Sequence, residues 1–296
     1  MEKLLDEFAE HFVIQGRSEQ TIKKYCKDLR LFFRKKNISR VNQITKDTIN
    51  EWVYALRTKG RVTGYIANHL WAIKAFLKFL KEEKQIVSYE FEIKIPRVDP
   101  PATVEYLEPE ELEKFFSLIP SDEIRGLRTR AFIEVMINTG LRPGEALSLQ
   151  KTDIENEQID IIGKGGKQRK VYFNDRVREW AQVYIGERID DHEALFVVDR
   201  GKGLNERQSL RNAQEHFKKY FDKTGINKRV TLHTLRHTYA TTLLSNGCPL
   251  DYVAVLLGHG DVRTTRRHYV SIQHKHAKKA HFRFLSYEVE RDNKKE

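Results

Sequence analysis

Four short stretches carry side chains suited to phosphate chemistry. In "TLHTLRHTYATTLLSNG", His233 and Arg236 stand three residues apart. That spacing puts an imidazole and a guanidinium on one face near a helix N-terminus, where anions are favoured, with Thr231 as the cap. In "INTGLRPGEALSL", Gly140 ends one helix and Pro143 fits the first turn of the next. Arg142 is therefore held on a tight connection and can offer a two-pronged fork to phosphate oxygens. Glu145 is placed to hold a neighbouring basic group. The turn "GKGGKQRK" supplies Lys164 and Lys167. It is not a nucleotide-binding loop, because Gln168 rather than Ser or Thr follows Lys167 and no helix comes after. A lysine at a hairpin tip can protonate a leaving hydroxyl. Finally, "LLGHGDVRTTRRHYV" leaves His259 on the turn after Gly258, with Thr264 or Thr265 able to cap a helix carrying Tyr269.

Each stretch has a plain reading as well: a polar helix start, a loop with an arginine, a solvated basic hairpin, a core aromatic. Taken in order, they supply arginine, lysine, histidine, arginine, histidine and tyrosine. That set can attack a phosphodiester with a phenol and stabilise the pentavalent transition state with no metal and no cofactor.

Helices must position most of these groups. In "TIKKYCKDLRLFF", Ile22, Tyr25, Cys26, Leu29, Phe32 and Phe33 recur at three and four residues, while Lys23, Lys27, Arg30 and Arg34 share another face. In "YIANHLWAIKAFLKFLKEE", Ile66, Leu70, Ile73, Leu77 and Leu80 form the apolar stripe, and Lys74, Lys78 and Lys81 the basic one. These stripes read either as solvated amphipathic faces or as the lining of a DNA groove. Shorter helices are expected at 3–15 and 46–57. Three prolines in "IPRVDPP" mark an extended connection. Two helices open the next unit, "EPEELEKFFSLI" and "LRTRAFIEVMINTG". Two strands at 158–162 and 169–173 then flank the basic turn, and helices follow near 174–187, 207–224, 232–245 and 250–257. The expected architecture is mainly α: a helical domain over 1–95, a linker over 96–105, and over 106–296 a mixed α+β domain with a small β-sheet, a C-terminal helix and a charged tail.

Bulk properties point the same way. The chain has 296 residues, enough for two domains, and a formal net charge of +11. Residues 1–98 hold 20 lysines and arginines against 12 acidic residues, whereas the remainder hold 33 against 30. A basic first third favours a polyanionic partner, nucleic acid before an acidic membrane surface. Two lone cysteines, Cys26 and Cys248, argue against a disulfide scaffold or cysteine-rich zinc module and suit a reducing compartment. "MEKLLDEFAEHF" lacks a signal peptide's apolar stretch, and no run approaches the ~18 apolar residues of a spanning helix. A cytoplasmic protein with no membrane partner is expected.

The motifs "TGLRPGEALSL", "HTLRHTYATTLL" and "LLGHGDVRTTRRHYV", in this order and spacing, resemble those of the tyrosine recombinases, or phage integrases, and especially the Xer-like branch. The resemblance covers almost the whole chain. It implies a SAM-like helical core-binding domain, a proline-bearing linker and a catalytic domain. By position, Arg142 matches the first catalytic arginine, Glu145 its acidic support and Lys164 the hairpin lysine. His233 and Arg236 match the H-x-x-R pair, and His259 the His/Trp position. The family commonly places its tyrosine nine residues after that histidine; here position nine is His268, and Tyr269 stands at ten. One residue turns a helical side chain by about 100°. Tyr269 is the expected nucleophile and His268 the competing one. The resemblance further implies site-specific recombination of double-stranded DNA through a 3′-phosphotyrosine. Four protomers would join two sites, and an accessory DNA-bending or directionality protein is a further partner. The segment "HKHAKKAHFRFLSYE" would then dock on a neighbouring protomer or pack on its own domain.

Three rivals compete. A non-catalytic DNA-binding protein with the same fold would bind without a covalent adduct. A type IB topoisomerase would relax supercoils without pairing sites. Metal binding by His274, His276 and His281 lacks a suitably spaced cysteine or carboxylate.

Overall fold

The computed structural model describes residues 1–86, 91–98, 104–163, 166, 168–201 and 203–258. Within it the chain forms two separate units, Met1–Asp99 and Pro100–Glu296.

Among the described residues the first unit has four α-helices: α1 (Glu2–Ile14), α2 (Glu19–Lys36), α3 (Lys46–Thr58) and α4 (Thr63–Glu82). Local chemistry fixes their ends. Ser18 accepts from the Thr21 N–H at the start of α2, and Asn37 closes that helix with a left-handed φ of 52°, a conformation asparagine tolerates. Thr45 caps α3 in the same way through the Thr48 N–H. The apolar stripe expected on α2 is buried except for Tyr25, which is half-buried. On α4 burial is wider than the expected stripe, because Ala67, His69, Ala72, Phe76 and Phe79 also face inward. Aromatic rings fill the centre: Phe8 stands edge-on to Phe76 at 5.4 Å and Phe79 at 5.6 Å. Past the helices, Ile93 is buried against this core, with Phe91 and Ile95 packed beside it.

The second unit wraps its helices around α6 (Ile124–Thr139), which buries residues on nearly every side. Before it runs α5 (Pro109–Ser117), and after it the short α7 (Pro143–Ser148). The sheet is one antiparallel hairpin, β1 (Gln158–Ile162) and β2 (Gln168–Tyr172), with Ile159 opposite Val171 and Ile161 opposite Arg169. Strand β2 thus lies one residue earlier than expected, while the Phe173 N–H still reaches Glu157 O at 3.0 Å. Four α-helices follow among the described residues: α8 (Asp175–Gly186), α9 (Leu210–Phe221), α10 (Leu232–Ser245) and α11 (Leu250–Leu257).

Helix α9 begins three residues later than expected. Arg207 is held in extended chain by its bridge to Val197, and its guanidinium donates to Leu147 O at 2.7 Å and Leu149 O at 3.0 Å. Ser209 then caps the helix through the Asn212 N–H. The observed class is the expected one, mostly helical with a small two-stranded sheet.

Candidate active site

The turn from α6 to α7 is built around Gly140. Its φ of +64° suits glycine, and a Cβ there would lie 2.4 Å from Cδ1 of Tyr239 on α10. Pro143 occupies the first position of α7, which leaves Arg142 as the N-cap residue. Glu145, three residues on, reaches back to accept from the Arg142 N–H at 2.8 Å and from its Nη1 at 2.8 Å. Backbone and side chain of Arg142 are therefore fixed by one carboxylate.

That carboxylate is shared. Arg169 on β2 donates Nη1 to Glu145 Oε1 at 3.2 Å and Nη2 to Oε2 at 2.5 Å. Burial alone would push the Glu145 carboxyl up, but the Arg169 and Arg142 hydrogen bonds outweigh it and hold it down to about 2. Glu145 is an anion at any working pH. Sequence reasoning missed Arg169. The signal was there in the alternation of "QRKVY": Arg169 shares the inward register of β2 with Val171. A charge on an apolar face demands a buried counter-charge.

Arg236, on the second turn of α10, is 3% exposed. Its Nη1 donates to Gly140 O at 2.6 Å and its Nη2 to Leu257 O at 2.5 Å. Both acceptors are helix-terminal carbonyls, of α6 and α11, where the helix dipole favours a cation. Gly258 closes α11 with a φ of +62°, and a Cβ at that position would lie 2.6 Å from Arg169 Cδ. Arg142, Glu145, Arg169 and Arg236 thus meet through the Gly140 turn and the end of α11. His233 is exposed one turn before Arg236, its ring edge-on to His237 at 5.4 Å. The cap of α10 is reciprocal in a particular way: the Thr231 N–H donates to Thr234 Oγ1 at 3.0 Å. Lys164, Lys167, His259, His268 and Tyr269 lie outside the described residues, as do His274, His276 and His281.

In the first unit the two basic stripes border different hollows. Lys27, Arg30 and Arg34 line a groove of about 720 Å³ with Lys24 and Tyr65, the last two not singled out in sequence. Lys74 and Lys78 line another of about 410 Å³ beside Trp71 and Tyr25. Lys23 and Lys81 are exposed. Surface acids share some of these cations: Lys23 meets Glu19 at 2.6 Å, Lys78 meets Glu82 at 3.6 Å, and Arg30 donates to Glu2 at 2.9 Å. Among the described residues no cluster of histidine, cysteine or carboxylate side chains is arranged to hold a metal ion. Nor is any described helix long and apolar enough to cross a membrane.

Comparison with known proteins adds an independent line. Residues 105–276 match the phage integrase family, and residues 5–84 match the phage integrase N-terminal SAM-like domain. Tyrosine recombinase XerA of Pyrococcus furiosus is 32% identical over 283 residues, covering 94% of this chain and 92% of its own. Tyrosine recombinase XerD of Oceanobacillus iheyensis is 30% identical over 273 residues, covering 86% and 90%. A crystal structure of XerH site-specific recombinase bound to palindromic difH substrate, a post-cleavage complex, shares the fold. Its TM-score is 0.69 at 23% identity, covering 89% of this chain and 80% of that one.

Proposed function

The chain belongs to the phage integrase family and is a tyrosine recombinase that cleaves and rejoins DNA, and from this premise we propose which residues carry the reaction. Tyr269 attacks a backbone phosphorus, forming a 3′-phosphotyrosine and releasing a 5′-hydroxyl. An ordinary phenol ionises near 10, so nearby cations must favour its phenolate as it attacks. Arg142 and Arg236 hold the non-bridging oxygens as negative charge grows on them, the preorganised electrostatics that supply the largest share of such catalysis. Lys164 protonates the leaving 5′-oxygen, and His233 and His259 donate hydrogen bonds to the phosphate or pass a proton. The covalent link conserves the phosphodiester's energy, so a second hydroxyl can displace the tyrosine without another energy source.

One observation supports this reading above the rest. Arg236 is bonded to the carbonyl of Gly140, two residues before Arg142, so guanidinium groups from α10 and from the α6–α7 turn are tied into one frame. A preassembled pair of fixed cations is what an in-line displacement at phosphorus requires.

We also infer that residues 96–105 link the two domains and that the first unit grips DNA through Lys23, Lys27, Arg30, Arg34, Lys74, Lys78 and Lys81. XerH is bound to palindromic difH substrate, and double-stranded DNA is the partner proposed here. Four copies on two sites exchange strands, with an accessory DNA-bending or directionality protein a further participant. The cytoplasm, where chromosomal DNA is accessible, is the compartment.

A nicked suicide duplex tests the assignment, because the short strand diffuses away after cleavage and traps the complex. The expected adduct maps by peptide sequencing to Tyr269 and disappears in Tyr269→Phe but not in His268→Ala. An adduct on His268, or one that survives Tyr269→Phe, overturns it. Binding with no adduct at all would leave a DNA-holding protein.

A further inference from the structure

We propose that Arg169 is a positioning residue of the strand-transfer site: it offsets the charge of Glu145 so that the cluster around Arg142 keeps a net positive charge toward DNA. The inference rests on the proposed reading of Arg142 as a phosphate-holding residue.

The geometry is specific. A carboxylate offers about four lone-pair sites, and Glu145 has four donors. Oε1 accepts from Arg142 Nη1 and Arg169 Nη1, while Oε2 accepts from the Arg142 N–H and Arg169 Nη2. With Arg169 absent, Arg142 and Glu145 form a plain ion pair of no net charge beside the phosphate. With Arg169 present, the trio keeps one positive charge, and Arg142 still has its position fixed. The two arginines differ in exposure as this division of labour requires. The Arg169 side chain is 5% exposed and that of Arg142 34%.

A buried arginine is a costly way to fill space, since apolar residues of similar volume commonly serve stability as well or better. Arg169 has a second contact that fits positioning. Its Cδ packs on Gly258, directly after Leu257, whose carbonyl accepts from Arg236. One side chain therefore touches the support of Arg142 and the turn that helps hold Arg236.

The test measures single-turnover cleavage of the suicide duplex at saturating DNA, alongside duplex affinity and thermal melting. Arg169→Met is expected to slow cleavage by about 100-fold, the scale of losing one preorganised transition-state interaction, with affinity changed by less than about threefold. Adding Glu145→Gln to Arg169→Met is expected to recover about tenfold of that loss, because it removes the unbalanced anion. Arg169→Lys, which keeps the charge without the fork, is expected to lie within about tenfold of the wild type. Removing the unpaired anion would also restore stability in a purely structural role, so the discriminating result is rescue of the cleavage rate that the melting temperature does not track.

The proposal is overturned if Arg169→Met cleaves at the wild-type rate, if neither second change restores cleavage, or if affinity and melting fall in step with rate. Should Arg169→Met fail to fold, Arg169→Lys with and without Glu145→Gln carries the comparison. Unless charge controls the rate in that pair, the idea falls. A wild-type protein that makes no adduct would sink the reading of the whole site, whereas an intact wild type beside an unaffected Arg169→Met sinks only this one.

Discussion

Nearly all described lysines and arginines of the first unit stand in water, Lys36 excepted, whereas several in the second are enclosed. Lys23 on α2 is 72% exposed and shares its charge with a neighbouring glutamate one helical turn away. Arg236, Arg169 and Arg128 are nearly sealed from solvent, and each is bonded to carbonyl or carboxylate oxygens. Identical residue types therefore perform different physical work. An exposed lysine contributes a screened, diffuse attraction that weakens with salt. An enclosed guanidinium has its direction fixed before DNA arrives and acts in a medium that screens it less.

The sharpest way to break this contrast is to remove an enclosed cation. Arg236→Ala is expected to reduce suicide-substrate cleavage by about 10³-fold or more, and to destabilise the second unit by about 2–4 kcal/mol, since Gly140 O and Leu257 O lose their donor. Stopped-flow cleavage and thermal melting of the purified protein check the two parts. Normal cleavage in that variant would dissolve the distinction.

A smaller effect sharpens the same contrast through pH. Desolvation, together with Arg128 and Arg125, pushes the His216 imidazole down to about 4, and its Nδ1 lies 3.4 Å from Arg128 Nη2. The unfolded chain takes up that proton first, near the ordinary value of 6.5. Stability is therefore fully present above about pH 6.5 and is lost as pH falls toward 4. Melting of the second unit should drop by a few degrees over that range, and His216→Gln should flatten the dependence. A wild-type curve flat from pH 6.5 to 4 would contradict the assignment.

The smallest effects belong to the exposed residues. Single changes of Lys27, Arg34, Lys74 or Lys78 to alanine should each weaken duplex binding by about threefold at moderate salt and reduce the salt slope by about 1. Cleavage at saturating DNA should not change. Lys23→Ala should have the least effect of all, because Glu19 already shares its charge. Fluorescence anisotropy across a salt series reads these outcomes. A variant from this group that lost cleavage at saturation would place it with the enclosed residues.

The contrast also explains what was legible in the sequence. Amphipathic periodicity reports exposed faces directly, so the stripes of α2 and α4 could be read from spacing, although α4 buries more than its apolar stripe. Gly140, Arg142 and Pro143 were legible because left-handed backbone and proline geometry are local properties. Helices α10 and α11 begin and end where residues 232–245 and 250–257 were expected to. The inward register of Arg169 was open to view, but its pairing with Glu145 was not, because that carboxylate lies 24 positions away. The delayed start of α9 has a similar cause, since carbonyls some 60 residues earlier keep Arg207 extended. Nor did spacing show that Gly140 supports Arg236 as well as ending a helix, a link that spans 96 positions. Local chemistry sets the ends of elements; distant oxygen atoms decide which charges can be enclosed.

Tyr239 lies against the face of Gly140, whose carbonyl Arg236 grips from one turn earlier on α10. Positions 140, 236 and 239 therefore form an inheritable module. Anyone grafting α10 from one recombinase into another, or recoding the α6–α7 turn to retarget an enzyme, should exchange the three as a set, because a larger residue at 140 would unseat both the ring and the guanidinium.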